Sequence, residues 1–154
     1  LVYEATYLDN VFHIILTPGL WAFNMLEAWT RGSVWTGTGK VLGDWEDLKP
    51  RNEYAHQITG AYYSARLGVL EHMDSMRRSG ACLIWRDIGP EYWAPVGVWL
   101  IRETVREAMK RTPRQFDSLK HAIDYVAPKV SAPDDLRNSW FVKRGRQTRL
   151  DSFA

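Results

Sequence analysis

Between Asn52 and Arg78 the residues Ala55, Ile58, Tyr62, Ala65, Val69, Met73 and Met76 recur at steps of three and four. Only a helix gathers such a series on one side, because its side chains return to the same face roughly every 3.6 residues. The segment predicts a helix of about seven turns, entered through Asn52 as N-cap and ended near Gly80. An apolar stripe of that length must be buried against another layer, and the first 36 residues supply one. Val11–Leu16 is a β-branched and aromatic run stopped by Pro18-Gly19, and Trp21, Phe23, Met25, Glu27 and Trp29 then alternate along one strand face. Thr30–Asp44 is rich in glycine and reads as a loop. Cys82–Trp85 reads as a short buried strand, and Val96–Arg111 and Phe116–Val126 as two more helices, the last stopped by Pro128. The expectation is an α+β fold, a small antiparallel sheet packed against about three helices.

At 154 residues the chain fits one hydrophobic core, placed at 1–136. The longest apolar stretch, Ala94–Ile101, contains Pro95 and Gly97 and falls far short of the twenty or so residues of a spanning helix. No membrane partner is expected. A single cysteine, Cys82, excludes an internal disulfide and fits a reducing, cytoplasmic setting. Charge is unevenly spread: residues 1–100 hold 8 basic and 11 acidic side chains, residues 101–154 hold 12 and 7. Arg137, Lys143, Arg144, Arg146 and Arg149 follow one another without an acid. Residues 137–154 therefore read as a flexible basic tail, of the kind that releases counterions from a phosphate backbone. With no initiator Met and a strand-like opening, the chain reads as the C-terminal part of a longer protein whose absent N-terminal region packs on it.

Two groups of residues could carry chemistry. On the first helix Asn52, His56, Thr59, Tyr63 and Arg66 recur at helical spacing beside the apolar face. They either line a cleft for a phosphate or base, or form a solvated face. In Arg86-Asp87-Ile-Gly-Pro-Glu91-Tyr92-Trp93, Glu91 or Asp87 could serve as a general base and Tyr92 or Trp93 could stack on a base. The alternative has Trp93 plugging the core and Arg86 satisfying carbonyls. The four histidines are far apart in sequence and outside any zinc-hydrolase frame, so no metal or cofactor is expected. Gly37-Thr-Gly-Lys40 lacks a phosphate-loop pattern, and no nucleophile elbow occurs.

At the extreme end, Gln147-Thr-Arg-Leu150-Asp-Ser-Phe153-Ala154 has the spacing that brings Leu150 and Phe153 to one side of a 3₁₀ turn. With Gln147 at the rim, the pattern resembles the motif by which replication and repair proteins dock on the sliding clamp, PCNA, although Ala154 stands where a second aromatic is usual. The segments Asn52–Arg66, Val69–His72 and Pro90–Glu103 resemble the C-terminal region of the archaeal Nre DNA-repair proteins. The likeness covers residues from about 43 to the end, with residues 1–42 resembling the close of the preceding region.

What the resemblance implies is a DNA-repair factor that binds damaged or modified DNA and is recruited by PCNA through Gln147, Leu150 and Phe153. His56, Thr59, Tyr63, Arg66, Arg86, Glu91 and Trp93 would then line its pocket. A second possibility is a hydrolase of a modified nucleotide or DNA end, with Glu91 or Asp87 as base, His56 as proton donor and Arg66 as phosphate anchor. A third is a clamp-bound adaptor without its own DNA site.

Overall fold

Alternating apolar residues build the sheet around one fully enclosed strand. The computed structural model describes residues 1–30, 40–49, 51–93 and 96–151. Its strands are β1 (Val2–Tyr7), β2 (Asn10–Pro18), β3 (Ala22–Trp29), β4 (Val41–Glu46) and β5 (Gly80–Ile88). They lie in the order β1-β2-β5-β3-β4. All nine residues of β5 are buried, the pattern of a central strand covered on both faces. The sheet is therefore mixed: β3 and β5 run parallel, and the other pairs are antiparallel as expected. Residues 41–44, read as the end of a glycine-rich loop, instead belong to the edge strand β4.

The helices α1 (Thr59–Ser75), α2 (Trp99–Met109), α3 (Leu119–Val126), α4 (Pro133–Arg137) and α5 (Trp140–Asp151) divide between the two faces. Phe12, Ile14, Phe23, Met25, Cys82 and Ile84 face Tyr62, Ala65 and Val69 of α1 and Leu100 and Val105 of α2. Ile15, Ala22, Leu83 and Trp85 face Ala122, Ile123, Leu136, Phe141 and Val142 of α3, α4 and α5. The two face-covering helices α1 and α2 approach closely at Gly68, where an added Cβ would lie 2.9 Å from Val105 Cγ1.

Two expectations are corrected. The first helix begins at Thr59 rather than near Asn52, and Asn52 is not its cap. The cause is tertiary. Asp44, buried on β4, accepts hydrogen bonds from the backbone N–H of His56, Gln57 and Ile58 at 3.3, 3.0 and 3.0 Å. Ala55 N–H donates to the Tyr63 hydroxyl at 3.1 Å. These bonds satisfy the amides of residues 55–58 outside a helix and place a carboxylate at the positive end of α1. The second correction concerns the segment read as a flexible tail, in which residues 140–151 form the helix α5 and Phe141 and Val142 are buried in the core.

Candidate nucleic-acid interface

At the edge of the sheet, the end of β4, the loop that follows it and the first turns of α1 enclose two adjoining clefts. One, of about 500 Å³, is lined by Asp44, Trp45, Lys49, Arg51 and His56 among others. The other, of about 410 Å³, is lined by Trp21, Lys49, Arg51, Tyr63 and Arg66, and both share Glu46 and Asp47. Lys49 is exposed, and Arg51 and Arg66 are half-buried.

The two acids nearest the floor are already satisfied. Glu46 accepts from Arg66 Nε at 2.6 Å and from Trp21 Nε1 at 2.8 Å, and the Arg66 guanidinium sits 5.5 Å from the Trp21 ring centroid. Asp44 holds the three loop amides and has Arg51 at 3.8 Å and His56 at 3.9 Å. Arg51 also donates to the Trp45 carbonyl at 2.5 Å, so it braces the loop against β4. Beneath them, burial, with the Glu46 carboxylate beside it, pushes the Tyr62 phenol far above its usual range. It stays neutral.

Aromatic rings lie on both sheet faces beside this edge, Tyr54 with Tyr63 on the α1 face and Trp45 with Trp140 on the α5 face. Tyr54 is 77% exposed and meets Tyr63 edge-on, their centroids 5.3 Å apart. Trp45 stacks on Trp140 of α5 at 4.4 Å with the planes 12° apart. The Arg144 guanidinium lies 5.8 Å from the Trp140 ring centroid. Trp45 alternates with Asp44 and Glu46 along β4, so its ring faces α5, on the opposite side of the sheet from the clefts.

Of the residues expected at a site, the structure gathers His56, Tyr63 and Arg66 here. Thr59 stands on the same helix but turns its hydroxyl back to the Ala55 carbonyl at 2.6 Å. The Arg86 group lies elsewhere. Glu46 pairs with Phe23, whereas Arg86 reaches Glu27, four residues further along β3, a separation of about 13 Å along the strand. Arg86 is buried: it donates to Glu27 at 2.5 Å and twice to Asn10 Oδ1, at 2.9 and 2.6 Å. It therefore presents no cation to a phosphate. Asp87 points to the opposite face of the sheet, where it accepts from the Ser131 amide at 3.3 Å and from its hydroxyl. Burial raises its carboxyl above the usual range. Glu91 is exposed, and its amide donates to Asp9 at 2.8 Å. Trp93 is 73% exposed and does not plug the core. The hydrolytic set of Glu91 or Asp87 with His56 and Arg66 is not assembled.

Sequence reading missed Trp21, Asp44, Trp45, Glu46, Lys49 and Arg51, the larger part of the groove. The alternation Leu42, Asp44, Glu46 was the available signal, obscured by the glycines around it. Gln147 and Leu150 fall on the helical backbone of α5, and Phe153 lies outside the described residues. Among the described residues no cluster of His, Cys, Asp or Glu is placed to hold a metal ion, and no helix is long and apolar enough to cross a membrane.

Fold and groove together define the class: an α+β domain with helices on both sheet faces and a mixed-charge groove along its edge strand. Comparison with known proteins is specific. The family model described as "Archaeal Nre, C-terminal" matches residues 46–153, and "Archaeal Nre, N-terminal" matches residues 1–36. The chain belongs to the archaeal Nre family. It is 36% identical over 154 residues to DNA repair protein NreA of Archaeoglobus fulgidus and 34% identical over 161 residues to DNA repair protein NreA of Haloferax volcanii. It is 38% identical over 149 residues to DNA repair protein NreB of Archaeoglobus fulgidus. The matches cover 99%, 99% and 94% of this chain but 38% of each relative, so the chain spans under half the length of these relatives. No solved structure matches it. The two family regions share one sheet here, because β5 of the second lies between β2 and β3 of the first.

Proposed function

We propose that this chain is the nucleic-acid-binding C-terminal part of an archaeal DNA-repair factor, with the β4–α1 groove and α5 as its binding surface. The observation that carries the reading is the set of rings and cations around the edge strand: half-buried Trp140 with Arg144 beside it and Trp45 stacked on it on the α5 face, and Lys49, Arg51 and His56 in the cleft on the α1 face. Cations meet phosphates and rings meet bases in such surfaces. The relatives' names, which speak of DNA repair, support the same class. Recruitment by the PCNA sliding clamp through Gln147, Leu150 and Phe153 completes the proposal, resting on the spacing of those residues in the sequence after a basic stretch.

Fluorescence anisotropy with labelled DNA at several salt concentrations tests the first part. The chain should bind at low salt, and the double variant Lys49→Ala, Lys143→Ala, which alters two exposed side chains, should weaken binding. It should also flatten the salt dependence, by about one unit of slope for each phosphate that no longer meets a cation. No binding at low salt would overturn the DNA-binding reading. For the second part, calorimetric titration of the clamp should show binding that Leu150→Ala, Phe153→Ala abolishes. Absence of binding by the unaltered chain would refute it.

A further inference from the structure

We infer that a patch of arginines at the C-terminal ends of α1 and α2, away from the groove, holds the phosphate backbone of DNA. The inference rests on the nucleic-acid reading above and adds a second surface to it.

Parallel packing of two helices creates the patch. Gly60 lies against Val98, Gly68 against Val105, and Glu71 accepts from Arg106 at 2.7 and 2.6 Å, so α1 and α2 run side by side in one direction. Their last turns reach the same end of the domain, about 25 Å along the 17-residue α1 from the groove at its start. Arg77 and Arg78 follow α1, and Lys110, Arg111 and Arg114 follow α2. The Tyr3 hydroxyl lies 3.2 Å from His72 Nε2, which ties β1 to the last turns of α1. Arg114 exchanges backbone hydrogen bonds with Val2 at 2.8 and 2.9 Å, and Arg111 donates to the Glu4 carbonyl at 3.1 Å. These two therefore stand along the outer edge of β1, and all five basic residues are exposed.

Charge and donor chemistry identify the ligand. Residues 74–78 and 107–117 hold these five cations and three acids, Asp74, Glu107 and Asp117, whereas the charged lining of the groove is net acidic. Lys110 already holds Glu107. Among the described residues no carboxylate forms an ion pair with Arg77, Arg78, Arg111 or Arg114. Guanidinium groups stay charged and offer forked donors that match phosphate oxygens. The relatives' names, which speak of DNA repair, favour a nucleic acid as the source of those phosphates.

Backbone conformation supplies an independent argument. After α1 the Arg78 N–H donates to the Met73 carbonyl at 3.0 Å and the Arg77 N–H to the Asp74 carbonyl at 2.8 Å, the pair of bonds that closes a helix through a left-handed residue. That residue is Arg77, with φ 52°. Glycine adopts this conformation without a steric penalty, so the stability of the cap alone favours glycine there. An arginine at this position carries backbone strain and contributes a cation in return.

The test is a set of anisotropy titrations of the intact chain against a labelled duplex at several salt concentrations, for the parent and for Arg77→Gly, Arg78→Gln, Arg114→Gln combined. Thermal melts accompany them, and Arg77→Gly alone should melt no lower than the parent. The triple variant should bind at least about tenfold more weakly, and its salt slope should flatten by roughly 2 to 3 units, at about 0.9 for each phosphate that loses its cation. The loss should be equal for duplexes of unrelated sequence, because backbone contacts carry no sequence information. Arg77→Gly, Arg78→Gln keeps the experiment decisive should Arg114→Gln disturb the bridge to Val2. Affinity and slope unchanged in a folded variant would overturn the inference, and the broader reading would stand if Lys49→Ala, Lys143→Ala still weakened binding. Unchanged DNA binding with lost binding to vesicles of phosphatidylcholine and phosphatidylglycerol would assign the patch to a membrane surface and equally overturn it. Failure of the parent chain to bind DNA at low salt would overturn both readings.

Discussion

Arg86 was a candidate phosphate ligand, and the structure makes it a buried structural cation, which leads to a quantitative expectation. Its side chain is 5% exposed and that of its partner Glu27 is 6% exposed. Phe12 and Tyr92 flank the guanidinium with ring centroids at 5.6 and 5.7 Å. Arg86→Met would leave the Glu27 carboxylate buried without its counter-charge and remove both donors to Asn10. Removing one member of such a pair costs about 3–5 kcal/mol, a large share of the roughly 5–15 kcal/mol that holds a domain together. Replacing both members by apolar residues of similar volume is often close to neutral. Glu27→Leu, Arg86→Met should therefore recover most of the loss, giving a coupling of about 2 kcal/mol or more. Urea unfolding of the four proteins measures this, and high salt should change the coupling little because water and ions do not reach the pair. An Arg86→Met loss below about 1 kcal/mol, or strictly additive single variants, would refute the burial argument. Under conditions where Arg86→Met remains folded, its DNA affinity should match that of the parent.

Three further outcomes follow from the same geometry. Burial outweighs the neighbouring Glu4 carboxylate and holds the His13 imidazole below its usual 6.5, so the unfolded chain takes a proton first. Stability should fall as pH drops below about 6.5, and His13→Gln should flatten that part of the profile in urea titrations at successive pH values. Asp44→Asn should cost about 1–3 kcal/mol by weakening three amide bonds, and amide exchange should quicken at residues 56–58; unchanged exchange would mean that the carboxylate does not hold the loop. Gly89→Ala would drive a Cβ into the Asp9 carboxylate, which anchors the Glu91 amide. A loss of about 1–2 kcal/mol in thermal or urea melts is expected, and a neutral result would show that the turn yields freely.

The periodic segments were legible in the sequence because burial on one side leaves a repeating trace. The apolar series from Tyr62 to Met73 and the alternation along β3 specified which faces would meet. The α+β class followed from the mixture of the two periods. Family likeness was readable for the same chain because long, unusual segments such as Asn52–Arg66 are themselves specific. The terminal spacing of Gln147, Leu150 and Phe153 also belonged to sequence alone.

Tertiary structure decided where local preference was overruled by distant partners. Residues 52–58 fit a helical period, yet the Asp44 carboxylate and the Tyr63 hydroxyl draw their amides away. Leu8-Asp9 contains no glycine, yet both residues take positive φ, 46° and 55°, in a two-residue hairpin turn. Bonds to Gly89 and Glu91 help hold that turn. Arg66 and Arg86 are chemically alike in sequence. One borders the groove because α1 lies over the edge strand, and the other is enclosed because β5 was inserted between β2 and β3. Strand order brings residues far apart in the chain together, and no local period encodes it. Charge exposure follows from that order, and so does the groove formed where β4, its loop and α1 meet.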